Sequence, residues 1–232
     1  MKTIICEKNE AVEKTAELVA EALREKPDAV LALSCGETMV PLWARLAALC
    51  SEGSLSLRDA RIFCVTEFCN VPEEKSCRFA LTRGLIETTD AQSENCFFPD
   101  PEAPEKSDAR IEALGGIDLA ILGLGEDCHI GYNEPGTLFD TLTHVQKLTD
   151  RTRRQLKLRG FSEEELPGYA VTLGIRDLTR AKKILLLAFG EEKAAAVFQM
   201  LYAKTTSYVP AAYLQIPLEV TVRLDGAAAA KL

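Results

Sequence analysis

Asp127, His129 and Glu134 fall within eight residues of one another, in a chain that holds only two histidines. Imidazole titrates near neutral pH and can both take and give a proton. A carboxylate beside it fixes its tautomer and stabilises its charged form. The three residue types together suit proton transfer. A loop histidine often does no more than cap a helix or bond a backbone carbonyl, but the glycines and acids around this one favour a chemical role.

The elements that must position the trio are legible nearby. Ile117 to Leu122 has the length and β-branched content of a buried strand, and Gly123 and Gly125 end it. The polar loop then lies outside the carboxyl end of a strand, where open α/β sheets place ligands. A second strand, Ala29–Leu33, delivers Ser34-Cys-Gly-Glu-Thr38 to a helix predicted over Met39–Cys50. Unpaired backbone N–H groups and the helix dipole make such a junction an anion site, although ordinary N-capping by Ser34 or Thr38 explains the same pattern. A third strand, Arg61–Val65, runs into Thr66-Glu67-Phe68.

The remaining pattern predicts a strand at residues 3–6, a helix over Asn9–Lys26, a helix over Ser76–Glu87, a short edge strand at Asn95–Phe98 and a helix from Glu105 to about Leu114. Strands follow at His144–Leu148, Tyr169–Gly174, Lys183–Phe189 and Leu218–Asp225, with helices up to Thr179, from Gly190, and over Val209–Leu214. Strands alternating with helices at this spacing imply an α/β fold, a mostly parallel, doubly wound sheet covered on both faces. No linker divides the chain, so one domain over residues 1–232 is expected.

Composition narrows the function. The chain has 27 basic and 35 acidic side chains, a net charge of -8, with no long block of one sign. This argues against a nucleic-acid or anionic-membrane surface. No apolar run approaches the roughly 18 residues of a membrane span, and the N-terminus is too soon polar for a signal peptide. A cytoplasmic protein is expected. The eight cysteines form no C-x-x-C pair, and several lie in apolar runs, which suits reduced, mostly buried thiols rather than disulfides or zinc. Cys35 and Cys128 fall in the ligand loops, where a small residue near a turn is the plainer explanation than a reactive thiol. The basic run Arg151–Arg159 has the composition of a solvated face.

Gly123-Leu-Gly-Glu-Asp-Cys-His129 followed by Asn133-Glu-Pro-Gly136 resembles the signature of the glucosamine-6-phosphate deaminase family, most closely its galactosamine-6-phosphate isomerase branch. The related 6-phosphogluconolactonases look similar up to the histidine and then diverge. The resemblance implies an amino-sugar-phosphate deaminase/isomerase that needs no cofactor or metal. Its partner is a small sugar phosphate, and a homo-oligomer is left open. It places catalysis on His129, Asp127 and Glu134, and contacts with the sugar phosphate on Cys35, Gly36, Thr38, Thr66, Gly125 and Lys193. A lid carrying a basic side chain is expected within residues 151–159, with Arg154, Lys157 and Arg159 as candidates. Two departures stand out. Glu37 introduces a carboxylate into the phosphate loop, and Thr66 stands where the family carries the aspartate that moves a proton between sugar carbons. A hydroxyl is no resting base near neutral pH. Glu67 is the adjacent substitute only if the backbone leaves strand geometry, because successive strand side chains point to opposite faces. A relative that binds sugar phosphate without isomerising it, and a lactone hydrolase, are the alternatives.

Overall fold

The computed structural model describes residues 1–232. In chain order it contains β1 (Lys2–Ile5), α1 (Lys8–Glu25), β2 (Val30–Leu33), α2 (Val40–Ser51), β3 (Arg61–Cys64), β4 (Thr66–Phe68), α3 (Cys77–Gly84) and β5 (Cys96–Phe97). There follow α4 (Glu105–Ala113), β6 (Leu119–Gly123), β7 (His144–Lys147), α5 (Asp150–Leu158), β8 (Tyr169–Thr172), α6 (Ile175–Thr179), β9 (Lys183–Ala188), α7 (Ala194–Tyr202) and β10 (Val220–Leu224). Seven strands pair in parallel in the order β1-β10-β9-β6-β2-β3-β5.

The continuous apolar runs are explained by burial on both faces. Leu31 and Leu33 of β2 join one apolar cluster, which packs under α1, α2 and α3. Val30 and Ala32, their alternating neighbours, join the other, which includes Ile111 of α4, Leu178 of α6 and Met200 of α7. From β2 the chain proceeds to β3 and β5 in one direction, and from β6 to β9 and β10 in the other. The reversal between β2 and β6 leaves a crevice at their carboxyl ends. No helix is long and apolar enough to cross a membrane.

Two predicted boundaries are corrected. The third strand does not run straight through Val65. It leaves the parallel sheet there, and β4 joins β8 and β7 in a separate antiparallel sheet, with Thr66 opposite Thr172 and Phe68 opposite Ala170. The helix predicted to Glu87 stops at Gly84 and gives way to a 3-10 turn at Ile86–Thr88. Trp43 packs so close to Gly84 that a Cβ there would meet its ring at 2.7 Å. The small second sheet and α5, whose Leu156 packs with Leu148 and Ala170, stand over the carboxyl end of the main sheet.

Candidate active site

A cavity of about 220 Å³ opens at those carboxyl ends, bounded by the loops after β2, β6 and β9, by β4, and by α5 with the turn beyond it. His129 reaches it from the loop after β6. That loop is shaped for the ring: Gly125 N–H donates to the His129 carbonyl at 2.9 Å, and a Cβ on residue 125 would lie 2.5 Å from the imidazole. Cys128 takes a left-handed φ of 69°, uncommon outside glycine, so backbone strain is concentrated between Asp127 and His129. The buried Asn133 amide donates to the carbonyls of Ile130 and Leu173 at 2.8 and 2.9 Å, anchoring the loop to the second sheet.

Asp127 and Glu134 stand behind the imidazole and do not line the cavity. Asp127 Oδ1 lies 2.7 Å from His129 Nδ1, and Glu134 Oε2 lies 3.7 Å from it. Asp127 Oδ1 sits off the ring N–H axis, so the contact is an electrostatic pairing rather than a straight hydrogen bond. Burial raises the proton affinity of Asp127, but the contacts to His129 outweigh it and hold the carboxyl well below the usual range. Glu134, with its side chain only 1% exposed, goes the other way. Burial pushes it up despite His129, and its oxygens receive the Thr149 N–H and hydroxyl at 3.4 and 3.3 Å. Two carboxyls whose proton affinities are driven apart around one imidazole are an acid–base arrangement.

The trio is also the one place where three such groups could meet a metal ion, with donor atoms within 4.8 Å of one another. Ligands about 2.0–2.1 Å from zinc sit roughly 3.4 Å apart. At 2.7 Å the Asp127 and His129 donors stand closer than that, in direct ion-pair contact.

The opposite wall gathers polar and basic side chains. Cys35, Gly36 and Thr38 line the cavity from the loop after β2, as does Ser34, whose buried hydroxyl has no protein partner. Lys193 lies at the turn leading into α7 and is buried, and burial together with the nearby Arg159 cation lowers its proton affinity. Of the three basic residues considered for the lid, Arg159 faces the cavity, while Lys157 pairs with Glu163 and Arg154 is exposed away from it. Glu37 is exposed at the cavity mouth.

Thr66 and Phe68 line the cavity, and Glu67, between them on the strand, does not. Glu67 is therefore corrected as a candidate base. Its carboxylate accepts the N–H groups of Phe68, Cys77 and Arg78 at 2.7, 2.9 and 2.8 Å and so closes the amino end of α3. Cys128 points into the core, donating to Gln199 Oε1 at 3.3 Å, and has no part in the cavity. The second histidine, His144, bonds Leu142 O and Gln146 within β7 and its approach. Sequence reasoning missed Tyr132, whose ring lies 5.5 Å from that of His129, and Lys75, whose Nζ donates to Gly160 O at 2.9 Å and ties the turn before α3 to the lid.

Fold and site together define an open α/β protein with a carboxylate-flanked imidazole that shares a cavity at the switch point with Ser34, Thr38, Lys193 and Arg159. The family model described as glucosamine-6-phosphate isomerases/6-phosphogluconolactonase matches residues 8–222, and the chain belongs to this family. It is 35% identical to the glucosamine-6-phosphate deaminase of Clostridioides difficile (strain 630), covering 100% of this chain and 97% of that one. It is 36% identical to the Bacillus velezensis deaminase, with 99% of each covered. A solved structure described as a monomeric glucosamine-6-phosphate deaminase of the NagB superfamily superposes with a TM-score of 0.96 at 32% identity, over the whole of both chains. The Trypanosoma brucei 6-phosphogluconolactonase, at 19% identity and a TM-score of 0.77, shares the fold.

Proposed function

We infer that this protein is an amino-sugar-phosphate deaminase/isomerase, converting glucosamine-6-phosphate to the ketose-6-phosphate and ammonia. The observation that carries this reading is His129, backed by Asp127 and Glu134, sharing one cavity with Lys193, Arg159 and the amide loop at residues 35–38. Lys193 and Arg159 bind the phosphate with the loop N–H groups, and the sugar ring lies toward His129. The imidazole takes the anomeric hydroxyl proton and returns it to the ring oxygen, opening the pyranose. A proton then moves from C2 to C1, leaving an iminium at C2, and water displaces ammonia from that carbon. Asp127 stabilises the imidazolium formed on the way, and Glu134 positions it from behind.

Thr66 occupies the wall where a carboxylate base would be expected, and the resting proton acceptors lining the cavity are His129 and the exposed Glu37 at its mouth. The second proton transfer therefore falls to His129 as well, which makes C2-to-C1 transfer the slow step. The whole-chain likeness to a monomeric deaminase supports catalysis by a monomer acting on a small cytoplasmic metabolite. The gluco configuration is favoured over galacto by the deaminase relatives.

The test is ammonium release coupled to ketose-phosphate formation, run with glucosamine-6-phosphate, galactosamine-6-phosphate, unphosphorylated glucosamine and 6-phosphogluconolactone. Turnover of the first alone, lost in His129→Gln, is expected. Saturable binding of glucosamine-6-phosphate without any ammonium would establish the binding-only reading that Thr66 favours.

A further inference from the structure

Three cysteines that the proton chemistry leaves unused meet at the cavity floor. Cys35 comes from the anion loop, Cys64 from the last position of β3, and Cys77 from the first position of α3. Cys35 Sγ donates to the Cys77 carbonyl at 3.1 Å, Cys64 Sγ donates to the Thr66 carbonyl at 3.1 Å, and Cys77 Sγ lies 3.5 Å from Thr66 Oγ1. Cys35 thus rests against the backbone of Cys77, and Cys64 and Cys77 both meet Thr66. Cys64 is fully buried beneath the pair, whereas Cys35 and Cys77 both line the cavity, so only these two meet a solute that enters it. Hydrogen bonds from Cys35 and Cys77 pull the Cys64 thiol down to about 5, and the same contacts with burial push Cys35 up. Cys64 is thus the first of the three to lose its proton and the acceptor for one leaving Cys35, while the Cys64 contact and burial push Cys77 up as they do Cys35.

We propose that Cys35 and Cys77 are a reversible oxidation site, where a hydroperoxide entering the cavity drives formation of a disulfide that closes the anion loop onto the start of α3. The steps balance. With its proton passed to the Cys64 sulfur, the Cys35 thiolate attacks one oxygen of hydrogen peroxide, the O–O bond breaks, and the departing hydroxide takes a proton to become water. The resulting sulfenic acid is attacked by the Cys77 sulfur, the S–S bond forms, and the S–O bond breaks to release a second water. Two thiols are oxidised by two electrons, one peroxide is reduced by two, and a dithiol reverses the change by exchange. The intermediate is short-lived because the resolving thiol already stands beside it. The joined loop can no longer offer Gly36 and Thr38 to an anion.

The test treats the whole reduced protein with hydrogen peroxide and follows intact mass and cysteine-containing peptides. A loss of two hydrogen masses, a Cys35–Cys77 cross-linked peptide, reversal by dithiothreitol and slowing by inorganic phosphate are expected. Oxidation should cut phosphate affinity by about tenfold or more, and dithiothreitol should restore it. Cys35→Ser and Cys77→Ala should each abolish the cross-link, and mapping of the unsubstituted protein stands whether or not either variant folds. Peroxide-treated protein with all thiols free, a cross-link through other cysteines, or sulfinic acid on Cys35 without cross-linking would overturn the proposal. This readout needs no turnover. Absence of ammonium release from the reduced protein would count against the deaminase reading alone.

Discussion

Replacing Asp127 with asparagine removes a charge while keeping side-chain volume, at an oxygen 2.7 Å from His129 Nδ1 in a site where both side chains are about nine-tenths buried. The imidazolium that forms during ring opening then loses its nearest counter-charge. The amide can also donate to Nδ1, holding the proton on the other ring nitrogen, the one that faces the substrate. In a serine protease triad the equivalent change costs about 10⁴ in kcat. Here Glu134 lies 3.7 Å from the same nitrogen and retains part of the stabilisation. The expected fall in kcat is therefore on the order of 10² to 10³, or about 3–4 kcal/mol of transition-state stabilisation. KM should change much less, because the phosphate contacts through Lys193 and Arg159 are untouched. Steady-state ammonium release from glucosamine-6-phosphate measures both parameters, with circular dichroism as the check on folding. The Asp127 carboxyl is held ionised across the neutral range, so the loss should be the same at pH 6.5 and pH 8.5. A folded variant with kcat within about threefold of the parent would refute the assignment of Asp127 as the group that positions and charges His129.

Glu67→Gln should lower stability by about 1–2 kcal/mol in urea unfolding, since a neutral amide holds the three N–H groups at the start of α3 less well. Its kcat should stay close to the parent's, and a large kcat loss without destabilisation would restore Glu67 as the base. Asp177, with its side chain 9% exposed, is raised to about 7 by burial and by Asp108 beside it. A raised folded-state value means that the fold favours the protonated form. This contribution is full below the unfolded value near 4 and is lost as pH rises through about 7. The urea midpoint of the parent should therefore fall between pH 4 and pH 7, and Asp177→Asn should flatten the decline and be more stable at pH 8 by about 1–2 kcal/mol. Superimposable pH profiles for the two proteins would contradict this linkage.

The amino-acid sequence by itself determined the buried strands β2, β3, β6, β9 and β10, because residues such as Val30 to Leu33 face an apolar layer on each side and so read as unbroken runs. It also determined the trio, because Asp127, His129 and Glu134 share one loop, in which Gly125 leaves room for the imidazole's own bulk. Alternation along β4 was enough to set Thr66 against Glu67, and the structure bears that out. Only the tertiary structure decided the antiparallel pairing of residues 66–68 with residues 170–172, since a three-residue strand carries too little pattern to name a partner a hundred positions away. It alone selected Arg159 from the basic run and Lys75 from an exposed turn, because a surface cation's target depends on what folds over it. Cys35, Cys64 and Cys77 are ordinary small apolar residues when taken one at a time. They become one sulfur cluster because parallel strands β2 and β3 end side by side and the carboxylate of Glu67 holds the start of α3 against them.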